Sequence, residues 1–117
     1  MSSHLNIRHI TYAIDCPDAP ALAALDHEMF PLDSWSENII EQELASEHTR
    51  YWVLADGSGI VGSVGVLAAA GAGEADIQTI AVSETFRGGG WATRMLRLAF
   101  AWALSRGARR VFLEVRE

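Results

Sequence analysis

The sequence predicts a single α+β domain in which a mixed, mostly antiparallel sheet carries helices on its faces. Segments rich in β-branched residues alternate with helical patterns in the order β-α-α-β-β-β-α-β. An Asp-Gly turn joins two neighbouring strands, and a strand–helix–strand unit, which implies a parallel crossover, lies at the end of the chain. The 117 residues, 50% hydrophobic and 21% charged, suffice for one soluble domain with a single core.

The amino-terminal part is predicted to form a strand and then a helix. Residues 6–13 are rich in β-branched side chains, which favours a strand. Asp18 is a candidate N-cap for a helix over about residues 19–30. Pro20 is tolerated in a first helical turn, whereas Pro31 cannot continue a helix and should stop it.

A second helix follows after a short connection. Ser34 or Ser36 is expected to begin it, and the apolar side of the helix continues as far as Ser46. Glu37 lies in the first turn, where the helix dipole favours an anion. The apolar side consists of Trp35, Ile40 and Leu44.

Three strands are predicted next, as an antiparallel meander. The first two span residues 50–55 and 60–68 and are joined by Asp56-Gly57-Ser58-Gly59. Asp-Gly between two β-rich segments is a strong hairpin signal. An Ala/Gly-rich turn over residues 68–73 leads to the third strand at residues 75–82.

The last helix is predicted to be unusually apolar. It spans about residues 90–106, ends at Gly107 as a C-cap, and is followed by a final strand at residues 110–116. Such a helix is expected to be covered by protein over most of its circumference, with its aromatic residues in the core. Its two apolar stripes are Trp91, Met95, Leu98 and Trp102, and Ala92, Leu96, Ala99, Phe100 and Ala103.

Charge and composition exclude several classes of function. Nine basic and fifteen acidic side chains give a net charge of −6, so the surface should repel nucleic acid and suits a cationic peptide or an amine better. The basic residues at positions 106–110 are expected to cap a helix end. Apolar runs such as residues 64–70 are too short to cross a membrane, so no membrane partner is expected.

Cysteine and histidine usage indicates a reduced protein without a metal. Cys16 is the only cysteine, and its place beside Pro17 favours a loop residue over a catalytic thiol. The amino terminus lacks the features of a signal peptide, so a cytoplasmic location is expected. The four histidines show no ligand spacing, and no metal site is expected.

The stretch from Thr79 to Thr93 carries the clearest chemical signal. A strand, Thr79-Ile80-Ala81-Val82, leads to Arg87-Gly88-Gly89-Gly90-Trp91-Ala92-Thr93, where a helix begins. Glycines let backbone N–H groups approach a ligand, and the N–H groups at a helix start are unpaired and carry partial positive charge. Arg87 adds a full positive charge. The stretch therefore predicts a pyrophosphate site.

Two common phosphate motifs do not fit this stretch. A P-loop requires Gly-Lys-Ser/Thr, and the dinucleotide fingerprint requires a third glycine where Thr93 stands. The remaining pattern is Arg/Gln-x-x-Gly-x-Gly/Ala, which Arg87, Gly90 and Ala92 satisfy. The alternative is that the three glycines form a flexible turn that binds nothing.

In its strand–turn–helix setting, this pattern resembles the acetyl-CoA motif of the GNAT superfamily. Further segments resemble the ribosomal-protein alanine N-acetyltransferases, and the similarity spans about residues 6–117. These segments are Phe30-Pro31 followed by Trp35-Ser36 with Leu32-Asp33-Ser34 inserted, Thr79-Ile80-Ala81-Val82, and Leu113-Glu114-Val115-Arg116. The resemblance implies a three-layer α/β/α fold.

The resemblance also implies an activity and residue roles. Acetyl would pass from acetyl-CoA to the α-amine of a protein N-terminus, that of the alanine of a ribosomal protein. Backbone groups of Ile80, Ala81 and Val82 would pair with the pantetheine amides, and residues Gly88 to Thr93 would hold the pyrophosphate. Glu114 would be the general base, although a carboxylate alternating with Leu113 and Val115 is also typical of a solvent-facing strand position. Glu74 and Asp76 are weaker candidates for binding a cationic peptide.

The sequence departs from this family at its end. The family continues with an Asn-containing turn, a helix bearing a tyrosine proposed as the acid, and two more strands, whereas this sequence stops at Glu117. Residues 1–117 are therefore expected to be one GNAT domain without its carboxy-terminal helix and last strands. The last strand would then be an open edge that favours self-association.

Two other functions remain open. One is a catalytically inactive acyl-CoA-binding module, which would bind without turnover. The other is a GNAT enzyme that acetylates a lysine or a small-molecule amine. The Trp35-Ser36 and Leu113–Arg116 segments argue against this second alternative without excluding it.

Overall fold

The computed structural model describes residues 5–10, 18–31, 35–56 and 59–113. Within these ranges five strands form one sheet in the order β1-β2-β3-β4-β5. The strands are β1 Asn6–Ile10, β2 Thr49–Asp56, β3 Gly59–Leu67, β4 Glu74–Val82 and β5 Arg110–Leu113, and the helices are α1 Ala19–Met29, α2 Glu37–Ala45 and α3 Trp91–Ser105. The strands from β1 to β4 pair antiparallel and β4 pairs with β5 in parallel, which confirms the predicted fold class and element order.

The sheet lies between two helical layers, because alternate side chains of each strand point to opposite faces. On one face, α3 packs over a core formed by Trp52, Leu54, Val64, Val66, Ile77, Val82, Met95, Ala99 and Ala103. On the other face, α1 and α2 cover a smaller core formed by Ala19, Leu22, Ile40, Leu44, Tyr51 and Val53. The arrangement is the three-layer α/β/α sandwich expected from the resemblance.

The helix starts are largely as predicted. Ser36 caps α2 by accepting a hydrogen bond from the Ile39 N–H at 3.3 Å. Asp18 stands at the N-cap position of α1, but its side chain makes no cap hydrogen bond there. Its carboxylate instead accepts two hydrogen bonds from the Arg8 guanidinium, at 2.8 and 3.0 Å, and so links α1 to β1.

The carboxy-terminal end of α3 forms the turn predicted at Gly107. Gly107 has a φ of 91°, a conformation that favours glycine. Its N–H donates to the Leu104 carbonyl and the Ala108 N–H donates to the Ala103 carbonyl, both at 3.0 Å. These two bonds satisfy carbonyl groups that a helix end leaves unpaired.

The expected covering of α3 is not met within the described residues. One face of α3 meets the sheet. The buried residues of the helix therefore form a narrow row, which consists of Met95, Ala99 and Ala103. Leu98, Phe100 and Leu104 are 40%, 39% and 66% exposed. The prediction that the aromatic residues of this helix are core residues is therefore wrong for Phe100. None of the described helices is long and apolar enough to cross a membrane.

Strand β4 contains a β-bulge opposite β3. Gly65 of β3 pairs with Thr79 and the next residue, Val66, pairs with Ile77, so Gln78 is an extra residue in β4. The parallel pairing with β5 extends to Ile77 opposite Leu113 within the described residues. The second half of β4 therefore continues past the described part of β5 while it stays paired with β3.

Candidate functional site

The glycine-rich loop is held between β4 and α3. The Arg87 N–H donates to the Glu84 carbonyl at 3.3 Å, and the Arg94 N–H donates to the Gly90 carbonyl at 3.1 Å, where α3 begins. Gly88 and Gly90 have φ values of 84° and 80°. Residues with a Cβ rarely adopt this conformation, so the loop requires glycine at both positions.

Open space surrounds the two glycines with positive φ. A Cβ added at Gly88 or Gly90 would meet no heavy atom within 4 Å, whereas one added at Gly89 would lie 3.1 Å from Cδ1 of the Trp91 indole. A cleft of about 280 Å³ lies here, lined by Val82, Phe86, Arg87, Gly88, Gly90, Trp91, Ala92 and Thr93. The first N–H groups of a helix have no intrahelical partner, so the cleft adjoins backbone donors with partial positive charge.

A second cleft, of about 430 Å³, continues from the first along β4. The two clefts share Val82, Arg87 and Ala92. The second is further lined by Met29, Phe30, Ile80, Ala81 and Leu96. We call the two together the β4 groove; it extends from the start of α3 to the end of α1.

Backbone groups of β4 point into this groove. The Ser83 N–H donates to the Val61 carbonyl of β3 at 2.7 Å. Backbone groups of successive residues in a strand point to opposite sides, so those of Ile80 and Val82 face away from β3. The Val82 carbonyl accepts a hydrogen bond from Arg87 Nε at 3.0 Å. The Val82 N–H and both backbone groups of Ile80 therefore face the groove.

The electrostatic character of the groove comes from one side chain and the helix start. Arg87 is the only charged side chain among the described residues that line it. Across residues 5–10, 18–31, 35–56 and 59–113, no group of three or more His, Cys, Asp or Glu side chains is placed to hold a metal ion.

The structure brings most of the predicted site residues together. Ile80, Ala81, Val82, Arg87, Gly88, Gly90, Trp91, Ala92 and Thr93 all line the β4 groove. Gly89 belongs to the same loop beside the Trp91 indole. Glu114 lies outside the described residues, so its role stays a prediction. Glu74 and Asp76 are exposed near the other end of β4 from the glycine loop.

The groove also contains residues that sequence reasoning missed. Met29 and Phe30 form part of its wall at the end of α1, and Leu96 contributes from α3. The Phe30-Pro31 segment was a signal for this region, because it ends the first helix. Which strand that helix end meets depends on the packing of α1 on the sheet.

The fold resembles that of solved acetyltransferases. Aminoglycoside N-acetyltransferase AAC(6′)-Iy in complex with CoA matches with a TM-score of 0.75 and 15% identity, over 98% of this chain and 79% of that one. Ribosomal-protein-alanine N-acetyltransferase from Brucella melitensis biovar Abortus 2308 matches with a TM-score of 0.73 and 17% identity, over 97% and 82%. An aminoglycoside acetyltransferase from an uncultured soil metagenomic sample, in complex with trehalose, matches with a TM-score of 0.77 and 18% identity, over 97% and 78%. At these identities the likeness shows the fold alone.

The sequence itself identifies the family. A comparison with curated proteins gave no match. The model of the acetyltransferase (GNAT) family matches residues 11–117, which is most of the chain. The chain therefore belongs to the acetyltransferase (GNAT) family.

Proposed function

We propose that this protein transfers an acetyl group from acetyl-CoA to the α-amine of a protein N-terminus, with the alanine of a ribosomal protein as the acceptor. The observation that carries the proposal is the β4 groove, in which Gly88 and Gly90 leave open space at the start of α3. Membership of the GNAT family supports acyl transfer. The Trp35-Ser36 and Leu113–Arg116 segments support the choice of acceptor.

The chemistry of the groove fits the parts of acetyl-CoA. A pyrophosphate needs donors and positive charge, which the helix start and Arg87 supply. The pantetheine arm carries amides, and the groove-facing backbone groups of Ile80 and Val82 can pair with them as with an added strand. Apolar side chains, among them Met29 and Leu96, line the same cleft. When bound, acetyl-CoA supplies an activated acyl group, and no residue of the chain has to be acylated.

The transfer requires a neutral amine and a donor for the developing oxyanion. The amine nitrogen forms a bond to the thioester carbonyl carbon, the carbon–sulfur bond breaks, and the proton lost by the amine is balanced by protonation of the departing thiolate. An α-amine has a pKa of about 7.7–8.0, so a modest base is sufficient. Glu114 is our proposed base, directly or through a water molecule. A backbone N–H of β4 is the proposed oxyanion donor.

Calorimetric titration with acetyl-CoA tests the site, by comparison of the wild-type protein with Gly90→Glu. The substitution places an anion where the phosphates should bind, and like charges at an interface cost several kcal/mol, so we expect affinity to fall about a hundredfold. Gly71→Glu is the matched control, since Gly71 has a φ of 77° and equally open space. Its N–H donates to the Arg106 carbonyl, at the far end of α3 from the glycine loop. Equal affinities for the two variants would refute the site.

A thioester-consumption assay tests the acceptor. Three amines should be compared: a peptide that begins with alanine, the same peptide with a blocked N-terminus and an internal lysine, and an aminoglycoside. Turnover with the free alanine N-terminus alone supports the proposal. Turnover with lysine or the aminoglycoside reassigns the acceptor, and acetyl-CoA binding without any turnover indicates an inactive binding module.

We further infer that the chain associates with itself through β5. This strand lies at the edge of the described sheet and its four described residues are exposed. Unpaired edge groups are a template for another strand. Val111 and Leu113 are in register with the core residues Ala75 and Ile77 of β4, so they lie on the face of the sheet that α3 covers. Phe100 and Leu104 of α3 are exposed as well.

A further inference from the structure

A separate groove lies on the other side of Trp91 from the glycine loop. Leu5, Asn6 and Ile7, at the start of β1, form one wall, and residues of α3 form the other. The space measures about 400 Å³, within the range of about 300–1,000 Å³ typical of small-molecule sites. We call it the β1–α3 groove; its α3 wall consists of Trp91, Arg94, Arg97 and Leu98.

Most of the groove surface is apolar. Leu5 and Ile7 are half-buried and pack against the core beneath α3, and Trp91 does the same from the helix. Leu98, a large apolar side chain of the α3 wall, is 40% exposed. Burial of this surface by an apolar ligand would be favourable.

Two arginines give the groove a positive side. Arg94 and Arg97 are three residues apart, so they are neighbours on the helix surface. The guanidinium carbon of Arg94 lies 4.9 Å from the centroid of the Trp91 ring. Neither arginine forms an ion pair with a carboxylate of residues 5–10, 18–31, 35–56 or 59–113, unlike Arg8, which pairs with Asp18.

This local charge is contrary to the overall charge of the protein. The chain carries fifteen acidic and nine basic side chains, for a net charge of −6. Two adjacent guanidinium groups that pair with no carboxylate among the described residues, beside an apolar surface, match a ligand with an anionic head and an apolar body. A guanidinium presents a planar set of donors that suits both carboxylate and phosphate oxygens.

We propose that the β1–α3 groove binds an amphipathic oxyanion, a carboxylate or phosphate head group on an alkyl chain. Arg94 and Arg97 hold the head group by charge-assisted hydrogen bonds. The alkyl chain lies on Leu5, Ile7 and Leu98. This site is distinct from the β4 groove, and the two share Trp91 as a wall.

Calorimetry with four probes tests the ligand class. Decanoate and decyl phosphate, each below its micelle concentration, distinguish the two head groups; decylamine reverses the charge and acetate removes the chain. We expect saturable binding of one equivalent of at least one anionic amphiphile, and no binding of decylamine or acetate. Absence of saturable binding of both anionic amphiphiles, or equal binding of decylamine, would overturn the proposal.

Substitutions locate the site. The double variant Arg94→Gln/Arg97→Gln should bind the anionic amphiphile at least about tenfold more weakly, because it loses the charge-assisted hydrogen bonds to the head group. Leu98→Asn should weaken binding as well. Arg109→Gln, at an exposed position just before β5, is the matched control and should bind as the wild type does. Equal affinity in all variants would show that the ligand binds elsewhere.

Titration of the same variants with acetyl-CoA separates this proposal from the function of the β4 groove. The double variant should retain acetyl-CoA binding, which also shows that it is folded. Loss of amphiphile binding with acetyl-CoA binding intact supports two sites. If the wild-type protein binds acetyl-CoA but no amphiphile, the proposed amphiphile site is refuted and the proposed acetyltransferase function is not. If it binds an amphiphile but no acetyl-CoA, the proposed function is refuted and the amphiphile site is not.

Discussion

Arg87 donates a hydrogen bond from its Nε to the carbonyl of Val82 at 3.0 Å, across the loop that joins β4 to α3. Nη2 of the same side chain lies 3.6 Å from the sulfur of Met29 at the end of α1. One guanidinium therefore contacts β4 and α1 on the two sides of the β4 groove. From the sequence, Arg87 is expected only to add charge near a pyrophosphate, and the structure adds a positioning contact.

Replacement of Arg87 by lysine separates these two roles. Lysine keeps the positive charge but lacks the planar group that bonds to Val82. We expect Arg87→Lys to bind acetyl-CoA about tenfold more weakly, since a hydrogen bond from a charged donor contributes about 1.5–3 kcal/mol. Arg87→Met, which loses the charge as well, should bind more weakly still. Calorimetry measures both, and wild-type affinity in Arg87→Lys would rule out the positioning role.

Glu114→Gln tests the proposed general base. General-base catalysis contributes roughly 10²–10⁴-fold, so kcat should fall by that order while the acetyl-CoA dissociation constant stays unchanged. The ionisation contributed by the carboxylate should disappear from the acidic limb of the pH–rate profile, while the ionisation of the acceptor amine remains. Glu47→Gln is the control, because Glu47 is an exposed carboxylate in the turn before β2. A Glu114→Gln enzyme with the wild-type pH profile would exclude this residue as the base.

Stability in acid should depend on the pair formed by Arg8 and Asp18. The hydrogen bonds from Arg8 hold the pKa of the Asp18 carboxyl below its ordinary value, and the charge of Arg8 acts in the same direction, against a smaller opposing effect of burial. A carboxyl group whose pKa is lower in the folded than in the unfolded protein stabilises the fold. This stabilisation is fully present when the pH is above the pKa of the carboxyl in the unfolded chain, about 3.9. It is lost as the pH falls through the pKa of the carboxyl in the folded protein.

Urea unfolding at pH 7 and near pH 3 measures this effect. Asp18→Asn should cost at most about 1 kcal/mol at pH 7, as is typical of a partly exposed pair. Near pH 3 the difference between variant and wild type should shrink. A difference that grows as the pH falls would contradict the assigned direction of the pKa shift.

Self-association through β5 predicts a concentration-dependent sedimentation coefficient. The double variant Leu104→Glu/Leu113→Lys places charges on the exposed α3 and β5 surface, where an edge-to-edge contact would bury them. It should sediment as a monomer at concentrations where the wild type does not. Ile39→Glu is the control, since Ile39 is an exposed apolar residue of α2 on the opposite face of the sheet. A wild-type protein that is monomeric at every concentration would refute the inference.

Features with local causes can be predicted from short stretches of the sequence. The element order follows from hydrophobic periodicity and turn residues, and the helix start at Trp91 follows from glycines and a strand within fifteen residues of chain. Gly88 and Gly90 have positive φ values, which explains why glycine occupies these two positions. Family membership follows from the sequence as well, because a pattern of residue types survives where overall identity is low.

Contacts between distant residues depend on how the elements pack together. Arg87 and Met29 are 58 positions apart, and their contact depends on how α1 packs on the sheet. Asp18 is a reasonable cap from its sequence position, yet its carboxylate pairs with Arg8 because β1 lies beside the start of α1. The β1–α3 groove likewise brings together the first strand and the last helix of the described chain. Such contacts arise from the summed packing of many side chains, and no short stretch of sequence encodes them.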